Sequence, residues 1–121
     1  MKRILIIDDD LIIRQILRDL LEPHNYHIVE ASNGAEGLNL QLNNPFDLIV
    51  TDIVMPEKEG IETIIELSRE FPETKIIAIS GQGKLYMGEY LEMAEKLGAD
   101  AIFSKPIEPE VFVQKVKMLI P

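Results

Sequence analysis

Six residues of this chain could do chemistry together: Asp8, Asp9 and Asp10 in one run, then Asp52, Ser80 and Lys105. Carboxylates gathered in one place repel each other. A pair about 4 Å apart costs roughly 1 kcal/mol in bulk water and about 4 at an effective dielectric near 20. Such a cluster draws in positive charge, and hard oxygen ligands select a hard divalent cation. Mg²⁺ suits a small open site, because it keeps several waters and needs few protein oxygens. Lys105 adds a positive point charge, and Ser80 a neutral donor beside Gly81, where the missing side chain leaves room for a ligand. A cation, a carboxylate, a hydroxyl and an ammonium make a phosphoryl site. The carboxylate attacks phosphorus while the positive groups neutralise the oxygens of the transferring group. Asp52 is the nucleophile candidate, because it stands alone after its apolar run. Asp8 and Asp9 form the pair suited to metal. Asp10 directly precedes Leu11-Ile12-Ile13 and reads as a helix N-cap.

This chemistry requires elements that bring distant residues together. Short apolar runs alternate with helical spacings along the chain. The runs are 4–7, 27–29, 48–50, 76–79 and 101–103. Four are continuously apolar and mostly β-branched, as in parallel strands covered on both faces. The second is shorter and polar-flanked, which places it at an edge. Helical stripes follow: Ile13, Ile16, Leu17, Leu20, Leu21; then Ala35, Leu38, Leu42, opened by Asn33 with Glu36 three residues on. Ile61, Ile64, Ile65 and Ser68 form a third, and Tyr90, Leu91, Ala94 and Leu97 a fourth that ends at Gly98. Phe112, Val116, Leu119 and Ile120 form the last, with Pro109 in its first turn. Five strand–helix pairs with right-handed crossovers predict an α/β fold. The expected form is a doubly wound five-stranded parallel sheet of order 2-1-3-4-5, a flavodoxin-like three-layer sandwich. In that topology ligands bind at the carboxyl ends of the strands. Asp8-Asp9-Asp10, Asp52, Ser80 and Lys105 all follow strand runs, so they converge on one sheet edge.

Composition narrows the classes. The chain has 121 residues, a formal net charge of −9 and 46% hydrophobic residues, which predicts one domain over 1–121 with a true core. Clustered Lys and Arg are what phosphate backbones require, so direct nucleic-acid binding is not expected. No apolar run approaches the roughly 20 residues of a membrane span, so no membrane partner is expected. With no Cys, a cytoplasmic setting is the expectation. No glycine-rich loop follows the first strand run. His24 and His27 read as surface residues, and Tyr86, Met87, Tyr90 and Met93 as core and surface of one helix.

Several segments jointly resemble the receiver domain of two-component response regulators over nearly the whole length. They are Ile4-Leu5-Ile6-Ile7-Asp8-Asp9-Asp10, the run from Asp47 through Asp52 to Pro56, Glu59-Gly60, Ile77-Ala78-Ile79-Ser80-Gly81, Gly98-Ala99-Asp100 and Lys105-Pro106. The resemblance implies that Asp52 is the phosphoacceptor, charged by a sensor histidine kinase or phosphotransfer protein. It implies that Asp8 and Asp9 bind Mg²⁺ with the Asp52 carboxylate and the backbone carbonyl of Val54. Ser80 and Lys105 then bond the phosphoryl group, and the bond before Pro106 is cis. The implied role is a signalling switch that catalyses its own phosphorylation and dephosphorylation, not a turnover enzyme. A downstream protein partner or output domain would read it, with no output domain in this chain. An aspartate-nucleophile phosphatase is the enzyme-class alternative, but it needs a cap domain and leaves Asp10 without its capping role. A receiver kept only as a docking surface would not need every charged position filled.

The chain departs from the family pattern at Ile102, where an aromatic switch residue is common, at apolar Val54, and in a longer 81–98 segment. Phosphorylation adds roughly 1.5–2 negative charges. Bonds from Ser80 and Lys105, about 1.5–3 kcal/mol each, approach the roughly 5.5 kcal/mol of a full two-state shift. The expected reader of that shift is segment 81–92, with the fourth helix, fifth strand and fifth helix as the partner face. A further expectation is that removing Asp8 or Asp9 stabilises the metal-free domain.

Overall fold

The computed structural model describes residues 1–53, 59–80, 92, 95, 96 and 98–121. Strand β1 (Arg3–Ile7) leads to helix α1 (Leu11–Leu21), a 3-10 turn (Glu22–His24), β2 (His27–Ala31) and α2 (Gly34–Asn43). Then come β3 (Leu48–Asp52), α3 (Glu59–Glu70), β4 (Lys75–Ser80), β5 (Ala101–Ser104) and the C-terminal helix (Pro109–Leu119). All neighbours in the sheet are parallel and the order is β2-β1-β3-β4-β5, as the alternation predicts.

Alternation along the strands divides the core in two. Ile4, Ile6, Leu48, Val50, Ile77 and Ile79 face α1 and the C-terminal helix, meeting Leu17, Leu21, Phe112 and Val116. Leu5, Ile7, Ile49, Ile76 and Ala78 face the other way, against Ile64 and Leu67 of α3 and Phe46. Both faces are covered, so the strand runs are apolar without interruption. Each such side chain contributes roughly 1.5–3 kcal/mol on burial.

Four sequence expectations change. Strand β2 is an edge, but it spans five residues, as long as β1. The opposite edge, β5, buries Ala101 and leaves Ile102 and Phe103 half-buried, because among the described residues no strand pairs beyond it. Ile16 is exposed although it lies in the apolar stripe of α1, whose buried residues are Leu17 and Leu21. Helix α2 shifts its predicted stripe: Leu38 packs half-buried on the core as expected, but Ala35 and Leu42 are exposed, while Gly34, Gly37 and Gln41 are buried. The reason is close approach. A Cβ on Gly37 would collide with the Ile7 side chain, so glycine lets the helix lie directly on the strand. The stripe Tyr90, Leu91, Ala94 and Leu97 lies outside the described residues.

Candidate functional site

Strand register sets the site. Ile7 pairs with Thr51, Asp52 with Ile79, and Ser80 with Ser104. Asp8, Asp52, Ser80 and Lys105 therefore sit at nearly one level along four adjacent strands. Main-chain bonds continue the ladders past their ends: Asp8 N–H donates to the Ala31 carbonyl at 3.1 Å, and Lys105 N–H to the Ser80 carbonyl at 2.9 Å. The Lys105–Pro106 peptide is cis, as the resemblance implies.

Asp8 and Asp52 are buried, at 2% and 5% exposure, while Asp9 is exposed. One carboxylate oxygen from each of the three lies within 4.8 Å of the other two. Lys105 Nζ donates to Asp8 Oδ2 and Asp52 Oδ2, both at 3.4 Å. Three carboxylates thus lie together, and the two buried ones share the Lys105 ammonium. Burial raises the Asp8 pKa from 3.8 to about 6. The bond from the Asp10 amide opposes that rise, the Asp52 charge adds to it, and Lys105 opposes it. An all-oxygen set, with one member open to solvent, fits a divalent cation that keeps part of its water shell.

Asp10 is the N-cap of α1, as its position predicts, accepting from the Ile12 amide at 2.9 Å. Its own amide donates to Asp8 Oδ1 at 2.8 Å, which corrects one expectation. Alanine at position 8 would remove repulsion but also orphan a helix-start N–H, so only a substitution that keeps the acceptor should stabilise the domain. Ser80 is fully buried at the end of β4. Val54 and residues 81–91, including Gly81, lie outside the described residues. His24 and His27 are exposed. Ile102 packs on the core face shared by α2 and α3.

The sequence reading passed over Arg14, Arg18 and Glu30. Arg14 Nη1 donates to the Asp8 carbonyl at 2.6 Å and its Nε to Glu30 Oε1 at 3.0 Å. Arg18 Nε donates to Glu30 Oε2 at 2.7 Å. The available signal was two arginines four apart on α1, which place their side chains on one helix face.

The family model of the response regulator receiver domain matches residues 4–117. The chain belongs to the receiver domain family. Its curated relatives include the transcriptional regulatory protein SrrA of Staphylococcus aureus, 38% identical over 117 residues. That match covers 97% of this chain and 47% of SrrA, so the receiver domain spans about half the length of the curated relatives it matches. A response regulator receiver domain from Clostridium thermocellum superposes with a TM-score of 0.87 at 29% identity, covering 99% of this chain and 94% of that one. A CheY-like receiver domain from Methanospirillum hungatei gives 0.85 at 34% identity, with 98% and 92% covered. Among the described residues of this receiver domain, no helix is long and apolar enough to cross a membrane.

Proposed function

We propose that residues 1–121 act as one receiver unit in the cytoplasm, in which Asp52 accepts a phosphoryl group from a histidine kinase or phosphotransfer protein. The observation that carries this is the shared lysine: one ammonium lies 3.4 Å from two buried carboxylates at the carboxyl edge of the sheet. Asp8, Asp9 and Asp52, with the carbonyl of Val54, would hold Mg²⁺. When bound, the cation supplies positive charge to the oxygens of the transferring group. An Asp52 carboxylate oxygen forms the new O–P bond as the P–N bond to the donor imidazole breaks. Lys105 already faces Asp52, so it pairs with a phosphoryl oxygen after a small movement. The Ser80 hydroxyl donates to another. The resulting switch catalyses its own modification.

A protein donor needs a docking surface beside the acceptor. Leu11, Ile12 and Ile16 supply one, exposed by 65%, 69% and 47% on helix α1, which Asp10 caps. Three outward apolar residues beside an acidic pocket fit a helical partner with an apolar face. A downstream protein or output region would read the phosphorylated state. Nucleic-acid contact is not assigned to this unit, whose formal charge is −9.

Incubating the protein with Mg²⁺ and a small phosphodonor, then mapping the label by mass spectrometry, tests the proposal. Label on Asp52 is expected. Label on Asp8 would instead favour an aspartate-nucleophile phosphatase and overturn it.

A further inference from the structure

The three residues that the sequence reading passed over form a brace behind the acidic cluster. Glu30 lies on β2, and each of its carboxylate oxygens accepts from a different guanidinium of α1. Arg18 is tied down further, to Glu22 Oε2 at 2.8 Å and to the Ile28 carbonyl at 3.2 Å. Arg14 is only 14% exposed, and its Nη1 donates to the Asp8 carbonyl. That 2.6 Å contact is the shortest bond Asp8 makes.

Consider what fixes Asp8. Its N–H is held by Ala31, Oδ1 by the Asp10 amide, Oδ2 by Lys105, and its carbonyl by Arg14. The Asp8 carbonyl belongs to the peptide that joins it to Asp9. Rotation about the Asp8 Cα–C bond would turn that carbonyl and swing the Asp9 Cα, and with it the exposed carboxylate, away from the buried pair. The bond from Arg14 to the carbonyl opposes that rotation. The bonds of Arg14 run to Glu30 and to a neutral carbonyl, so the carboxylates of the cluster remain available to a cation.

We propose that Arg14, braced by Glu30, is a positioning residue that holds the Asp8–Asp9 peptide in the geometry that binds the cation. The inference rests on the metal reading of Asp8, Asp9 and Asp52. A guanidinium fork suits the task, because it reaches two acceptors at fixed angles where an ammonium is a compact point charge.

The test is a Mg²⁺ titration of the metal-free protein followed by amide chemical shifts, with urea denaturation in parallel. Arg14→Met and Arg14→Lys are each expected to weaken Mg²⁺ binding about tenfold, the low end for groups that orient metal ligands. Glu30→Gln, which loosens the brace, is expected to weaken it less. Wild-type affinity in Arg14→Lys with tighter binding in Arg14→Met would show a charge effect alone and overturn the proposal. Unchanged affinity in both, with lowered stability, would show a purely structural brace and also overturn it. Should Arg14→Met not fold, Arg14→Lys and Glu30→Gln decide the matter by the same readout. A wild-type protein with no saturable Mg²⁺ response would sink the metal site itself and the proposal with it.

Discussion

The two ends of the sheet treat polar groups in opposite ways. At the amino ends of the strands, a set of polar groups meets partners of matching kind. Asp47 Oδ2 accepts the Arg3 amide at 2.8 Å, and the Arg3 guanidinium donates to the carbonyls of Asn44 and Pro45 while lying 4.1 Å above the Phe46 ring. Buried Gln41 accepts from the Phe46 amide at 2.8 Å and donates to Thr74 Oγ1 at 2.9 Å. Thr74 in turn donates to the Phe46 carbonyl. At the carboxyl ends, three carboxylates crowd together and the two buried ones share one lysine at longer range. The first arrangement stabilises the fold. The second costs stability when metal-free, as expected of a site kept for binding. Buried polar residues alone therefore do not mark function; buried like charges that share one counter-charge do.

Substitutions can break this contrast, and the largest effect belongs to the acceptor. Asp52→Asn should abolish phosphoryl uptake from a small donor while leaving the protein folded, measured by intact mass and circular dichroism. Uptake at the wild-type level would remove Asp52 from its role.

At the opposite end, Gln41→Ala should cost about 2–4 kcal/mol. It opens a cavity and leaves the Phe46 N–H without its acceptor. Urea denaturation measures it, and a neutral result would mean that the amino-end network is ornamental.

Asp8→Asn should act in the other direction. The folded pKa of Asp8, about 6, stands above its ordinary value of 3.8, so the folded protein holds the proton more tightly than the unfolded chain. Its ionisation thus weakens the fold as pH rises from about 4 to 6, with the full penalty present above the folded value. At about 1.4 kcal/mol per unit the penalty is on the order of 1–3 kcal/mol. Asparagine keeps an acceptor for the Asp10 amide, so metal-free Asp8→Asn should be the more stable protein at pH 7, with the difference shrinking towards pH 4. Glu30 contributes with opposite sign. Burial raises its pKa, but the bonds from Arg18 and Arg14 outweigh that and lower it, so its contribution is lost in acid. The difference between the two proteins, not either profile alone, therefore carries the prediction. A constant difference across that range would contradict the burial penalty.

The smallest effect belongs to Asp9, whose exposed charge is screened. Asp9→Asn should change metal-free stability by less than about 1 kcal/mol yet weaken Mg²⁺ binding in a titration. Unchanged affinity would remove Asp9 from the ligand set.

Much of this protein was legible in its sequence. Uninterrupted β-branched runs between helical spacings dictate a parallel sheet, because only strands covered on both faces are apolar throughout. Strand order and right-handed crossovers then carry Asp8, Asp52, Ser80 and Lys105 to one edge, although they lie up to 97 positions apart. Capping was also local: Asp10 and Asn33 each bond an amide within three residues. Tertiary structure alone decided which face of α2 is buried, since apolar periodicity cannot see that Gly37 admits Ile7 or that Gln41 finds Thr74 33 positions away. It alone turned Ile16 outward and brought Glu30 between Arg14 and Arg18. It also separated buried Asp8 from exposed Asp9, two neighbours that share one letter. Periodicity and caps are written in residues close along the chain. Burial of a particular carboxylate, and the partner that holds it, depend on chain segments that meet only after the sheet has formed.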